Sequence, residues 1–286
     1  MVYVLYEYAP SSVAAIVAAA LFGASAIYHL LVMIQTRRWF YTAMTVGGFM
    51  MTAGYVFRYL SAKSPKTIML YSAQSIFIIL PPSLYAATIY MIYGRIVLYV
   101  NAPSASIISP KWVTKIFVGG DVLSFMMQAT GGGMMGQASS SSLGQKIIVG
   151  GLIAQLVFFS FFLIIAITFE RRMRSHKKSF HTPADGKKPW QSLLKLLFAA
   201  AVLIIGRCVY RVIEFGQGST GALMSREIYM YAADTLPMLL VQMMFHIVHA
   251  GDVFPNGVDP KKVALLGDDT NYIGLGQRPI TPMGEA

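Results

Sequence analysis

Charge is what this sequence has least of. Only 12% of its 286 residues are Asp, Glu, Lys or Arg, about half of the roughly 25% usual in soluble domains. With 56% apolar residues and a mean hydropathy of +0.58, a soluble globular class is excluded and a polytopic membrane class is indicated. Cysteine occurs once, at Cys208, which excludes an intrachain disulfide. No Asn-x-Ser/Thr acceptor and no Walker loop occur, so ATP-driven pumping by this chain alone is not expected. Acidic residues number 12 against 23 basic ones, for a net charge of +11. Nucleic acid is nevertheless not an expected partner, because the cations sit in short loops between apolar runs, where they set membrane orientation.

What is present is apolar length. Seven runs each approach the roughly 20 residues that a helix needs to cross a bilayer. They fall at about 12–35, 41–60, 68–98, 112–130, 146–169, 190–215 and 227–250. The N-terminal MVYVLYEYAPSS lacks a basic n-region, so an uncleaved first span is expected instead of a signal peptide. Ser11 and Ser12 are candidate N-caps for it. The third run contains Pro81-Pro82, which removes two backbone donors, so a kink or break is expected there. The fourth run ends in Gly131-Gly132-Gly133, and residues 137–144, with the serines 139–142 at their centre, read as a low-complexity loop. From about Phe254 a polar, disordered tail is expected, giving a seven-helix domain over 1–253 and a tail over 254–286.

Most of the 23 Lys and Arg lie in the first, third and fifth loops and the tail. The densest group is RRMRSHKKSFHTPADGKK at 171–188, which also suits anionic inner-leaflet lipid. Only Lys63, Lys66, Lys146 and Arg226 fall on the other side. The positive-inside rule then sets the N-terminus outside and the C-terminus in the cytoplasm. Trp39, Trp112 and Trp190 all fall where a cytoplasmic aromatic belt is expected.

Charged residues inside such spans are costly and mark candidate function. Arg207, Arg211 and Glu214 lie at i, i+4 and i+7, one face of a helix, and the run opening at Glu227 carries Asp234 and Pro237. Arg211 and Glu214 are spaced to pair locally, which leaves Arg207 to seek Asp234 or Asp121. Glu214 and Glu227 are expected near the outer surface. Asp121 and Gln128 are seven apart on the fourth run. Asp121 either pairs with an arginine or carries a proton, which would suit proton-coupled transport. Against these readings stand an internal ion-pair network that sets helix register and plain interhelical hydrogen bonding. Pro82, with Gln74 before it, and Pro237 are candidate flexible points, although proline is common in membrane helices. His29, His246 and His249 invite a metal reading, because i, i+3 histidines can share an ion. Histidines near a helix C-terminus more often bind the last carbonyls, so no metal or other cofactor is expected.

Several blocks together carry a family resemblance. These are YAPS (8–11), GYVFR (54–58), QSIFIILPPSLYAATIYMIYGRIV (74–97), GGDVLSFMMQATGGG (119–133), GGLIAQ (150–155), RCVYRVIEFGQGSTG (207–221) and EIYMYAADTLPM (227–238). The chain resembles the fungal lipid-translocating exporters, or RTA-like proteins, which include aminocholesterol-resistance and sphingoid-base-resistance proteins and a relative linked to porphyrin movement. The resemblance covers about residues 6–252. It implies seven helices with an outside N-terminus, and export or translocation of amphiphiles. Two departures stand out. Family members often have an acid four positions before the Tyr of GYxxR, where this chain has Met51, which removes an intramembrane partner for Arg58. The usual HPG closing the last span is His249-Ala250-Gly251 here.

The leading expectation is therefore an all-α, seven-helix protein of the plasma membrane that translocates or binds amphiphiles such as sphingoid bases, sterol-like amines or xenobiotics. Its partners would be membrane lipids or amphiphilic small molecules. The site would lie between the fourth, sixth and seventh spans, with Arg207, Arg211, Tyr210, Glu214, Asp234, Asp121, Gln128, Gln74, Pro82 and Pro237 as its substrate-binding or gating residues. A lipid-stress receptor without transport and a metal-dependent membrane enzyme acting on lipid are the alternatives.

Overall fold

The structure is a computed structural model and describes residues 10–64, 67–135, 140–175, 188–218, 221, 223 and 225–254. Of the described residues, 89% are helical and none forms a strand. Helix α1 (Ser12–Thr36) opens on Ser11, whose Oγ accepts the Ala14 N–H at 3.3 Å, and closes on Arg37 in the left-handed region at φ 52°. A 3-10 turn at Trp39–Tyr41 leads into α2 (Thr42–Lys63). Then come α3 (Ile68–Ile79), α4 (Pro81–Tyr99), α5 (Pro110–Met135), α6 (Ser141–Ser175) and α7 (Trp190–Gln217). The last run is divided into α8 (Glu227–Met230), a π-helical turn at Tyr231–Thr235, α9 (Leu236–Ile247) and a short α10 (Ala250–Val253).

Among the described residues, five helical runs are long and apolar enough to cross a membrane: Ser12–Thr36, Met69–Tyr99, Ser141–Ser175, Trp190–Gln217 and Glu227–Val253. The chain is thus a multi-pass integral membrane protein. Helices α2 and α5 have 22 and 26 residues but are less apolar. Glycines at 47, 48, 54, 119, 120 and 131–133, together with Arg58, Asp121 and Gln128, dilute them.

Helix α4 is the centre of the bundle. It packs on α2, α5, α7 and α9, while α1 lies on α2 and α9, and α6 on α5 and α7. Its tyrosines at 85, 90 and 93 are fully buried, and each phenol reaches a polar partner. Tyr85 donates to Gln242 Oε1 at 2.8 Å, Tyr90 to Asp121 Oδ2 at 3.1 Å, and Tyr93 meets Ser106 Oγ at 3.0 Å. Such satisfaction is required where burial removes water. In lipid, helices associate through close packing rather than the hydrophobic effect. At the α5–α6 contact a Cβ on Gly131 would lie 2.5 Å from the Gly144 carbonyl oxygen, so only glycine permits that approach.

Several expectations are adjusted. Helix α6 runs past its expected end at 169 to Ser175 and carries Arg171, Arg172 and Arg174 in its last turns, where cations complement the helix dipole. Arg174 also pairs with Glu170 at 2.5 Å. At its other end α6 takes in Ser141, Ser142, Leu143 and Gly144, so the serine loop is shorter than expected. Trp39 and Trp112 are exposed, as belt residues would be, but Trp190 is only 6% exposed and stands edge-on to Phe169. Phe254 belongs to the core instead of a tail. It is buried against Tyr99, and its carbonyl accepts from Arg38 Nη2 at 2.9 Å. The remaining tail at 255–286, positions 136–139 of the serine loop and positions 176–187 of the basic loop lie outside the described residues.

Candidate functional site

Two interrupted helices meet at Arg207. In an unbroken helix the N–H of residue 82 would donate to the carbonyl of Ile78, and that of residue 81 to Phe77. Proline supplies neither. The backbone stays helical through Leu80, yet the Ile78 carbonyl is left open, and Arg207 Nη2 donates to it at 3.2 Å. The Phe77 carbonyl is approached by α2 at Gly54, where a Cβ would lie 3.2 Å from its oxygen. In the last span Pro237 likewise cannot donate to Ala233. The turn ahead of it widens to π geometry, with the Leu236 N–H bonded to the Tyr231 carbonyl five residues back. π-turns of this kind recur at functional sites. This one carries Asp234.

Asp234 has no solvent exposure. Arg207 Nε donates to its Oδ1 at 2.5 Å, and Arg211 Nη2 donates to its Oδ2. Arg211 Nη1 also donates to Glu214 Oε2 at 2.7 Å, and the Tyr210 hydroxyl to Glu214 Oε1 at 2.9 Å. Two guanidinium and two carboxylate groups therefore balance within one buried cluster on α7 and the π-turn. Removing water from charges is tolerated only with such pairing. Two donors stay unused, because Arg207 Nη1 and Arg211 Nε are buried without a hydrogen-bond partner. They can donate to an oxygen of a carbonyl, carboxylate or phosphate.

Geometry thus brings together Arg207, Arg211, Tyr210, Glu214 and Asp234, with Pro82 and Pro237 opening the two backbones. It does not bring in Asp121 or Gln128. Asp121 is held by Tyr90, and Gln128 Nε2 donates to Gln155 Oε1, whose own Nε2 donates to Ser83 Oγ, both at 3.1 Å. The fourth span therefore faces α4 and α6, and the partner that the third span offers to Arg207 is a backbone carbonyl. Glu214 is 5% exposed, so its charge is met by Arg211 and Tyr210 and not by water. Gln74 is buried on α3, which packs on α2. Ser83, Tyr90 and Gln155 join these polar contacts without having been singled out by the spacing of charged residues. Ser83 and Tyr90 are seven apart on one face, and Gln155 is an amide inside an apolar run, which is the signal that could have flagged them.

A second ion pair holds the first turn of the last span. Arg58 Nη2 donates to Glu227 Oε1 at 2.7 Å, and Glu227 Oε2 accepts the Ser11 N–H at 2.8 Å. Glu227 supplies the acid that Met51 does not. Tyr55, one turn before Arg58, meets Thr235 Oγ1 at 2.5 Å.

The histidines have other work. His29 Nε2 contacts the Gln242 carbonyl oxygen at 2.9 Å, His246 contacts Ser25 Oγ at 3.0 Å, and the two rings lie 4.5 Å apart. His249 stacks on Tyr41 at 4.3 Å and accepts the Gly251 N–H at 3.1 Å, capping α10. Ala250 donates its N–H to the Tyr41 hydroxyl at 2.9 Å, a bond that a proline there could not make. Among the described residues no three His, Cys, Asp or Glu side chains gather so as to hold a metal ion.

Comparison with known proteins adds to this geometry. Protoporphyrin uptake protein 1 of Saccharomyces cerevisiae is 37% identical over 213 residues, covering 74% of this chain and 68% of that protein. Protein RTA1 of the same yeast is 37% identical over 205 residues, covering 72% of this chain and 64% of that protein. The sphingoid long-chain base transporter RSB1 of S. cerevisiae is 23% identical, covering 84% of this chain and 74% of its own. The chain thus spans about two thirds to three quarters of the length of these relatives. No solved structure matches it. A family model described as RTA1 like protein matches residues 44–257, and with these identities the chain belongs to the RTA1-like family.

Proposed function

We propose that this chain crosses the membrane seven times, with its N-terminus outside and its C-terminus in the cytoplasm, and translocates amphiphilic lipids or lipid-like toxic compounds. The observation that carries the reading is the Arg207–Asp234 pair. It lies fully buried where two proline-interrupted helices meet, and Arg207 and Arg211 each keep an unused donor. In many transporters, discontinuous helices expose backbone groups at a midplane substrate site. Here the polar head of an amphiphile takes the place of one partner of Arg207, and the two interrupted helices supply the flexible points on either side. The names carried by relatives, a sphingoid base transporter and lipid-translocating exporter-like proteins, support the class of cargo. Membrane lipids or amphiphilic small molecules are the partners this implies, and the plasma membrane is the proposed location.

The test is movement of labelled sphingoid bases and amino-sterols across liposomes that hold the purified protein. Wild type should move at least one of them faster than empty liposomes do, and Arg207→Ala should remove the difference. Binding without flux would instead support a receptor role. No effect of the protein on any amphiphile would overturn the proposal.

A further inference from the structure

Among the described residues, Asp121 is the one buried acid that no cation answers. It is 3% exposed. Its Oδ2 accepts the Tyr90 hydroxyl at 3.1 Å, and its Oδ1 has no partner. The contrast with Asp234, which holds an arginine on each oxygen, is internal to the protein. The Tyr90 ring is enclosed by Phe117, Phe159 and Phe162 at centroid distances of 5.4, 5.8 and 4.7 Å. Helix α6 sets Phe158 against Gly120 beside the acid. From α7 the titratable group in electrostatic reach is Cys208, and the neighbouring Arg207 is already held by Asp234 and the Ile78 carbonyl. From α4 it is Tyr90, and α5 itself offers Ser124, whose hydroxyl bonds the Gly120 carbonyl at 2.9 Å. Every element packed here thus presents a neutral group or a cation already engaged.

An ionised carboxylate in such a place lacks both water and a counter-charge. A neutral carboxyl keeps the Tyr90 bond on its carbonyl oxygen and carries hydrogen on Oδ1. We propose that Asp121 is a proton-binding site within the membrane, occupied in this packed conformation and emptied to water when α4, α5 and α6 part. Resting on the transport reading above, release and recapture of that proton would couple amphiphile movement to a proton gradient. The balance is simple: one proton leaves Oδ1 for water on opening and returns on closing, with no other bond changed.

Infrared difference spectroscopy of the purified protein in nanodiscs tests the site without any transport. A protonated-carboxyl C=O band should be present at neutral pH, absent in Asp121→Asn and unchanged in Asp252→Asn at the surface. Tyr90→Phe should shift the band to higher frequency and retain it, because the carbonyl loses its donor; a merely structural carboxylate would give neither result. Absence of the band in wild type, or its survival in Asp121→Asn, overturns the proposal. In liposomes a proton gradient should speed wild-type movement at least several-fold and leave Asp121→Asn unaffected. Gradient-independent movement by wild type overturns the coupling. Failure of all movement counts against the transport reading, and the infrared band still decides the proton site.

Discussion

Arg207 is 1% exposed and has three separate obligations. It neutralises Asp234, shares that acid with Arg211, and satisfies the carbonyl that Pro82 leaves open. Removing Asp234 alone leaves two buried guanidinium groups facing one carboxylate. Breaking a buried pair on one side costs about 3–5 kcal/mol, so Asp234→Asn should lower the unfolding temperature in detergent markedly. The double variant Asp234→Asn with Arg207→Leu should recover part of that loss, since it withdraws one of the stranded charges. A double variant no more stable than Asp234→Asn would contradict this account of the cluster. Tyr210→Phe removes one bond to Glu214, which keeps Arg211. A loss of only about 1 kcal/mol is expected in the same assay.

At the scale of elements, prolines and glycines decide which backbones open and which approach. Pro237→Ala restores the donor toward Ala233 and should let the π-turn tighten to α geometry. Asp234 would then rotate away from the arginines. The expected outcome is protein that still reaches the membrane in normal amount but loses most of its transport in the liposome assay; retained transport would mean that the π-turn is incidental. Glycines separate in the same way. A Cβ on Gly131 meets the Gly144 backbone at 2.5 Å, whereas one on Gly206 meets nothing within 4 Å. Gly131→Ala should therefore push α5 from α6 and destabilise by roughly 1–3 kcal/mol. Gly206→Ala should stabilise by about 0.5–1 kcal/mol through helix propensity alone. Thermal melting of the two variants checks both signs. Much at this scale was legible beforehand. The break at Pro81-Pro82 and the cap at Ser11 follow from residue types at single positions. The π-turn did not, because Pro237 predicts an interruption but not the geometry that relieves it.

For the whole molecule, the distribution of cations argues for the proposed orientation, with the N-terminus outside. Cys208 is buried, so cysteines introduced elsewhere report without interference. With an impermeant maleimide on intact cells, Lys63→Cys and Arg226→Cys should label directly, and Arg172→Cys only after the membrane is opened. The reverse pattern would invert the topology.

Sequence by itself determined the class of this protein and the intrahelical part of its candidate site. Scarce charge and long apolar runs admit helices in a bilayer, because lipid satisfies no backbone group. A spacing of 3, 4 or 7 residues places Arg207, Arg211 and Glu214 on one face whatever surrounds them. Only the tertiary structure decided which acid answers Arg207, that Arg58 finds Glu227 in place of the acid missing at Met51, that Glu214 and Trp190 are buried, and that Asp121 is left without a cation. Each of those facts depends on the rotation and depth of one helix against another. Side-chain shapes at close contacts set that rotation, as at Gly54 and Gly131, and no periodicity along a single helix contains it.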